Sequence, residues 1–288
     1  MTSMLYELVR QESGEIGPPS ACEAIGVSRS GYWAWLHAKP RGDDPLLPRI
    51  RKLAERPRYC YRRITAELHR EGITANHKRV LTLMRENGLL CKRPRFKVIT
   101  TDSNHGLPVH PNLAKGLEVT SINQLWVADI TYVHLSDGFA YLAVILDRFS
   151  RRCIGWQLSR NIDAQLCLGA LHMAFASSKG ASLAGLVHHS DQGVQYASSG
   201  YVRELENRGI RVSMSRRGNP YDNAYVESFN KTVKVEEVYV NEYEGFEHAR
   251  QNIKRFIEVV YNKKRLHSAL GYLPPAEFEQ QVLREVLA

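Results

Sequence analysis

From residue 124 onward, short runs rich in aromatic and β-branched residues alternate with longer stretches of helical period, and this order restricts the fold more than any single residue does. Residues 124–133, 139–146 and 153–158 read as three strands, the last two joined by a turn over 147–152. Residues 163–177 read as a helix, 186–189 as a strand, 199–207 as a helix, 210–214 as a short strand and 223–234 as a helix. Three strands followed by alternating helices and strands describe a mixed α/β sheet, and about 150 residues suffice to bury a core of its own.

Three carboxylates fall at telling places in that order. Asp129 lies inside the first strand, because Ile130 to Val133 continue the β pattern beyond it. A carboxylate there is costly without a cation, although a strand-end Asp that caps a turn is the simpler alternative. Asp191 ends an apolar run and is followed by Gln192 and Gly193, so it projects where a strand gives way to a loop, the place where sites on α/β sheets gather. Glu227 follows that Asp after 35 intervening residues, on the stretch following Arg216, Arg217, Gly218, Asn219 and Pro220, with Asp222 expected as the N-cap. At about 100° per residue, Val226, Phe229 and Val233 form an apolar stripe, and Asn223, Glu227, Asn230 and Lys234 a polar one beside it. Alone, that polar stripe is what any solvated helix shows, and with 30 acidic residues in 288 the spacing proves little. Beside two strand-end Asp residues it resembles a metal ligand with a phosphate-reaching Lys two turns away. Three carboxylates from separate elements are what a site needs to hold two divalent ions for phosphodiester chemistry.

The surrounding stretches carry a resemblance. Trp126-Val-Ala-Asp-Ile-Thr131, Tyr141-Leu-Ala-Val-Ile-Leu-Asp-Arg-Phe-Ser-Arg151, His189-Ser-Asp-Gln-Gly193, Arg216-Arg-Gly-Asn-Pro-Tyr-Asp-Asn223, Glu227-Ser-Phe229 and Tyr261-Asn262 through Arg265-Leu-His-Ser-Ala-Leu-Gly-Tyr272 span roughly residues 120–280. They are similar to the catalytic core shared by retroviral integrases and bacterial insertion-sequence transposases, most closely to the second-frame product of the "IS-three" transposase family. The resemblance implies a ribonuclease-H-like mixed sheet, with Asp129, Asp191 and Glu227 as the acidic triad and Lys234 as the basic residue that follows on the same helix. It further implies Mg2+ as cofactor, with Mn2+ as a substitute, and cleavage and joining of double-stranded DNA at the element's terminal inverted repeats and a target. The partners implied are a second copy in a homo-oligomeric synapse and the upstream-frame product, since the active form in this family is often a frameshift fusion. No leucine heptad is found near Met1.

Charge is distributed as a DNA partner requires. The chain carries 39 Lys and Arg against 30 Asp and Glu, a formal charge of +9, and residues 49–97 alone hold 15 basic and 4 acidic residues. Such a local excess raises affinity for a polyanion by counterion release. Within it, residues 61–71 and 76–87 read as two helices about Gly72, with Ile64 and Leu68 on one apolar face and Val80, Leu83 and Met84 on the other. This suits a helix-turn-helix DNA reader, though any small helical hairpin shows the pattern. The candidate DNA contacts are Arg62, Arg63, His77, Lys78, Arg79, Lys92, Arg93 and Arg95 here, Arg216, Arg217, Asn223, Asn230 and Lys234 around the catalytic helix, and Lys263, Lys264 and Arg265 near the end. Thr82 is a further candidate on the second helix of the hairpin.

The organisation expected is a small helical, helix-turn-helix-like region over 1–40, a basic helix-turn-helix domain over 44–97, a linker over 98–119, a ribonuclease-H-like core over 120–240 and a helical, basic C-terminal extension over 241–288. In the first region Tyr32, Trp33 and Trp35 read as packing rather than as DNA contacts. His188 and His189 lack Cys or His partners at zinc-site spacing, so they read as core or supporting residues. Five cysteines without a CxxC pair fit free thiols in a bacterial cytoplasm, with the protein at the nucleoid, and no apolar run is long enough to span a membrane. A nuclease that only hydrolyses and a DNA-binding regulator with an idle core remain the alternatives.

Overall fold

The computed structural model describes residues 2–37, 44–56, 59–90, 107–216 and 223–287. The chain divides into two compact units, Met1–Leu53 and Ala54–Ala288. In the first, α1 (Thr2–Ile16), α2 (Pro18–Ile25) and α3 (Arg29–Leu36) enclose a small core of Val9, Ala21, Cys22 and Tyr32. Gly26 ends α2 in the left-handed region at φ 75°, where a side chain would be strained, and Ser28 caps α3 by accepting from the Gly31 amide. Tyr32 and Trp35 serve packing as expected, whereas Trp33 stays exposed and stacks on His37. Neither α1 nor α4 (Leu47–Ala54) was anticipated, and α4 lies almost wholly on the N-terminal side of the division, whereas the sequence placed the boundary at 40–44.

In the second unit, α5 (Tyr61–Arg70) and α6 (His77–Glu86) form the anticipated hairpin. Gly72 turns the chain at φ 78°, and Asn76 caps α6 through the Lys78 amide at 2.8 Å. Ile64, Leu68, Val80 and Met84 are fully buried. The hairpin is tied into the sheet-bearing unit: the Tyr59 hydroxyl donates to the Lys264 carbonyl at 3.3 Å, and Arg70 grips Glu277 with both guanidinium arms at 2.7 and 3.2 Å.

The sheet has five strands in the order β3-β2-β1-β4-β5, namely β1 (Leu125–Leu135), β2 (Gly138–Asp147), β3 (Cys153–Ser159), β4 (Val187–Ser190) and β5 (Arg211–Met214). The first three are antiparallel neighbours, while β4 and β5 run parallel to β1. One face is covered by α7 (Ala164–Ser177), α8 (Val194–Ala197) and α9 (Ser199–Glu206) over Trp126, Ala128 and Ile145. The approach of α7 is close enough that a Cβ on Gly155 would stand 2.1 Å from the Ala170 carbonyl, so only glycine fits β3 there. The other face is covered by α10 (Ala224–Glu236) and α11 (Phe246–Arg255), with Val127, Val133, Val144, Val226, Phe229 and Val233 between them. A helix α12 (Pro275–Leu287) closes the chain. This is the ribonuclease-H-like mixed sheet.

Candidate active site

β1 and β4 place two of the three carboxylates side by side. Val127 is paired with His189 in parallel register, so two residues further on Asp129 comes level with Asp191, just beyond the end of β4. By strand alternation Asp129 shares the face of Val127, which is the α10 face. There its Oδ2 accepts from the Asn230 side-chain amide at 2.8 Å. Burial, then the neighbouring Asp191 and to a smaller degree Glu227, push the Asp129 carboxyl up to about 7 against the hydrogen bonds that it accepts. Asp191 is oriented by a turn of its own: its Oδ1 accepts from the Gly193 amide at 3.0 Å, and a Cβ on Gly193 would stand 3.0 Å from that oxygen.

Glu227 occupies the first turn of α10 and is exposed, with its carboxyl raised by partial burial. Among the described residues no three His, Cys, Asp or Glu side chains close into a metal-holding group; the β1–β4 register brings Asp129 and Asp191 together, and Glu227 is near enough to help raise the Asp129 carboxyl. Lys234 is half-buried on the same helix, its ammonium 3.8 Å from the centre of the Tyr132 ring. Burial lowers its proton affinity and attraction to Asp129 opposes that fall.

Two residues assigned to DNA serve α10 instead. Asn223 and Asn230 are each 6% exposed; Asn223 donates to the Ala128 carbonyl at 3.1 Å and Asn230 to Asp129, so together they fasten the helix to the strand beside its carboxylate. Asn223 also stands at the N-cap position without capping, and Asp222, expected there, lies outside the described residues. Arg265, also assigned to DNA, is held inside the fold. It is buried and grips Glu236 with two hydrogen bonds at 2.8 and 2.9 Å, and Arg63 approaches the same carboxylate to 3.7 Å. Desolvating Arg265 is tolerable because Glu236 neutralises it, so its guanidinium is held inside the fold rather than presented on the surface.

The other candidates divide by exposure. Arg62, His77, Lys78 and Arg79 are exposed around the start of α6, where the His77 ring stacks on Tyr61 and Arg62 donates to the Tyr61 hydroxyl. Thr82 is partly buried, and Lys263, Lys264 and Arg216 are exposed. Arg217, Lys92, Arg93 and Arg95 lie outside the described residues, as do 218–220. His188 and His189 are core residues: the Tyr201 hydroxyl meets His188 Nε2 at 3.0 Å, the Ser213 hydroxyl meets His189 Nδ1 at 2.8 Å, and burial drives the His188 imidazole down to about 3. Sequence reasoning missed the Gly193 amide, Glu236 and the arginines Arg148 and Arg151 that flank Tyr225. Only the last two had a signal, as cations in the short turn between two strands.

Known proteins agree with this architecture. An integrase core domain family matches residues 120–220, a second integrase core domain family matches 208–275, and an HTH-like domain family matches 41–97. An insertion element IS600 protein of 31 kDa from Shigella sonnei is 39% identical over 267 residues, covering 90% of this chain and 97% of its own length. The transposase InsF for insertion sequence IS3fB of Escherichia coli K12 is 35% identical over 291 residues, covering 97% of this chain and all of its own. Among solved structures, a simian T-cell lymphotropic virus intasome in complex with the PP2A regulatory subunit B56 gamma covers 75% of this chain and 70% of its own at 17% identity and a TM-score of 0.46. The catalytic core domain of BIV integrase covers 58% of this chain and 99% of its own at 19% identity and a TM-score of 0.41. No described helix is long and apolar enough to cross a membrane. With full-length relatives of this identity and an integrase core behind an HTH-like domain, the chain belongs to the IS3 family of insertion-sequence transposases, polynucleotidyl-transferase-type enzymes that act on DNA.

Proposed function

We propose that Asp129, Asp191 and Glu227 are the catalytic triad of a divalent-metal-dependent transposase that cleaves DNA at the ends of its insertion sequence and joins those ends to a target. The observation that carries the proposal is Asp129, a carboxylate set into a sheet beside a second one, with an amide rather than a guanidinium on its oxygen. Such a pair is costly in the absence of a cation, and hard carboxylate oxygens suit Mg2+ or Mn2+. Bound between the three carboxylates, two such ions would supply activation of the attacking water or 3′-hydroxyl and neutralisation of the leaving oxygen.

The chain's own groups have separable tasks in this reading. Asn230 fixes which Asp129 oxygen points away from the helix, the Gly193 amide does the same for Asp191, and Asn223 holds the first turn of α10 at the level of Ala128 so that Glu227 is presented to the pair. Lys234 keeps its ammonium near the carboxylates, available to a phosphate of the bound strand. The exposed cations around α6 would contact the terminal inverted repeat, with Lys263, Lys264 and Arg216 as further backbone contacts. A second copy would complete the synapse of two ends, and the upstream-frame product is the other partner proposed.

The test is a strand-transfer assay with element-end oligonucleotides and a target duplex in magnesium. Joined products are expected. Shortened strands alone would make the protein a hydrolytic nuclease, and binding with neither product a DNA-binding regulator.

A further inference from the structure

Among the described residues, two half-buried arginines beside the first turn of α10 meet no carboxylate, whereas Arg152 and Arg265 each do. Arg148 donates to the Tyr225 hydroxyl at 3.0 Å and to the Leu117 carbonyl at 3.2 Å, with its guanidinium carbon 4.6 Å from the centre of the Tyr225 ring. Arg151 lies 4.0 Å from the same ring centre. Among the described residues neither guanidinium meets a carboxylate, whereas Arg152 next in sequence pairs with Glu279 at 2.6 Å and Arg265 with Glu236 at 2.8 Å. Two like charges thus converge on one phenol, and both side chains are partly withdrawn from water. An anion joining them would relieve the repulsion between the two charges.

The backbone is bent to make the convergence possible. Arg151 has φ 62°, a left-handed conformation that a side chain other than Gly or Asn rarely takes. It is held there at both ends: its amide donates to the Asp147 carbonyl at 2.9 Å, and its carbonyl accepts from the Tyr261 hydroxyl at 3.1 Å.

Position supplies the ligand. Tyr225 is two residues before Glu227 on a 13-residue helix, in the turn whose free amides favour an anion, and Asn223 of that turn is fastened to the carbonyl of Ala128, next to Asp129. Tyr225 leaves α10 about 160° from Glu227, so a strand whose scissile phosphate lies at the carboxylates would bring a neighbouring phosphate, at about 3.4 Å per nucleotide, to this pair by crossing the helix N-terminus. We infer that Arg148 and Arg151, gathered over Tyr225, form a binding site for one backbone phosphate of the DNA strand being cleaved, setting the path of that strand past the active site. Planar, forked guanidinium groups recognise such a phosphate better than an ammonium would. The inference rests on the triad reading, because it needs the scissile strand to lie at the Asp129 end of α10.

Neutralising single phosphates tests it. Element-end duplexes carrying one methylphosphonate at successive positions around the cleavage site are assayed with the full chain for equilibrium binding and, in magnesium, for joining. The wild-type protein is expected to lose about tenfold at one or two positions within a few nucleotides of the cut. Arg148→Gln and Arg151→Gln should lose a similar factor on unmodified DNA and then be indifferent to methylphosphonate at those same positions, the non-additivity that marks a shared contact. Arg151→Lys, which keeps the charge but not the fork, should retain part of the sensitivity, and Arg152→Gln all of it. If the Gln variants still lose the full factor on the neutralised strand, the two arginines only clamp Tyr225 and the inference is overturned. If the wild type neither cleaves nor joins while the binding interference persists, the triad reading is overturned, and the two arginines hold a phosphate of bound DNA rather than of a strand being cleaved.

Discussion

The two ends of α10 treat a buried carboxylate in opposite ways. At the C-terminal end Glu236 is 6% exposed and fully compensated, taking two hydrogen bonds from Arg265 and a third charge contact from Arg63. Toward the N-terminal end the helix faces Asp129, whose immediate company is an amide and a second carboxylate. The first arrangement joins three parts of the chain, the hairpin, the catalytic helix and the C-terminal segment, and is complete within the fold. In the proposed function, the second is completed by bound divalent ions. Stability and function are thus placed on one helix, within three turns of each other.

The largest effect expected is on activity. Asp129→Asn, Asp191→Asn or Glu227→Gln should each lower joining by roughly a thousandfold or more, since ligation and charge are removed without a change of shape. Binding to element ends should hold within about threefold, because phosphate contacts elsewhere dominate affinity. Gel-shift and joining assays on the same preparations measure both. Joining near the wild-type rate at saturating magnesium removes that residue from the triad.

Glu236 should give the opposite phenotype. Glu236→Ala leaves Arg265 buried without the carboxylate that it grips and is expected to cost about 3–5 kcal/mol in urea unfolding. Adding Arg265→Met should recover part of that loss, since removing both partners of a buried pair is far milder than removing one. A loss below about 1 kcal/mol would mean that the site behaves as a surface pair, and the contrast between the two ends of the helix would collapse.

The same logic gives Asp129→Asn a second, smaller effect of reverse sign. In the folded protein the Asp129 carboxyl is held up to about 7 from an ordinary value of 3.8, so between those values the native state binds a proton that the unfolded chain does not. What this group contributes to stability is therefore present in full below the unfolded value and is lost as pH rises through about 7. Asn can keep the hydrogen bond from Asn230 and carries no charge. In metal-free buffer Asp129→Asn should accordingly be more stable than the wild type by about 1–2 kcal/mol at pH 8, with the gap closing toward pH 4. Thermal unfolding across that range measures it, and a gap that widened as pH fell would show that Asp129 is compensated in some other way.

How legible this contrast was in the sequence depends on distance along the chain. The five strands lie within a residue or two of the runs that the β pattern marks, and the hairpin caps at Asn76 and Gly72 fall where turn chemistry puts them. The buried stripe Val226, Phe229 and Val233 was legible too. What failed on α10 was the assumption that its polar stripe is uniform. On a helical wheel Asn230 stands about 60–70° from the centre of the apolar stripe, and Asn223, Lys234 and Glu227 follow at intervals of about 20°. The observed order runs from buried Asn230 and Asn223 through half-buried Lys234 to exposed Glu227, so the grading was present and went unread. Arg265 could not have been separated from Lys263 and Lys264 by any local rule, because its partner Glu236 lies 29 residues away. The exposed α1 helix, with no acidic first turn and no basic last turn, offered no end signals.

Lys234 sits between the two ends and sharpens the comparison with the smallest effect. Its ammonium rests on the Tyr132 ring at 3.8 Å and is attracted by Asp129, but it is a cation and cannot ligate a metal. Lys234→Ala should therefore slow joining about tenfold through poorer positioning of the strand, with no change in the magnesium concentration that gives half-maximal rate. Lys234→Arg, which keeps the charge over the ring, should recover part of the rate. The decisive measurement pairs a magnesium titration with site-directed crosslinking of DNA to α10. A sharply raised magnesium requirement with unchanged crosslinking would place Lys234 in the electrostatic balance of Asp129 rather than on the DNA. The helix would then present one side chain too few to the strand, and the role of Glu227, which shares its stripe, would have to be reassigned with it.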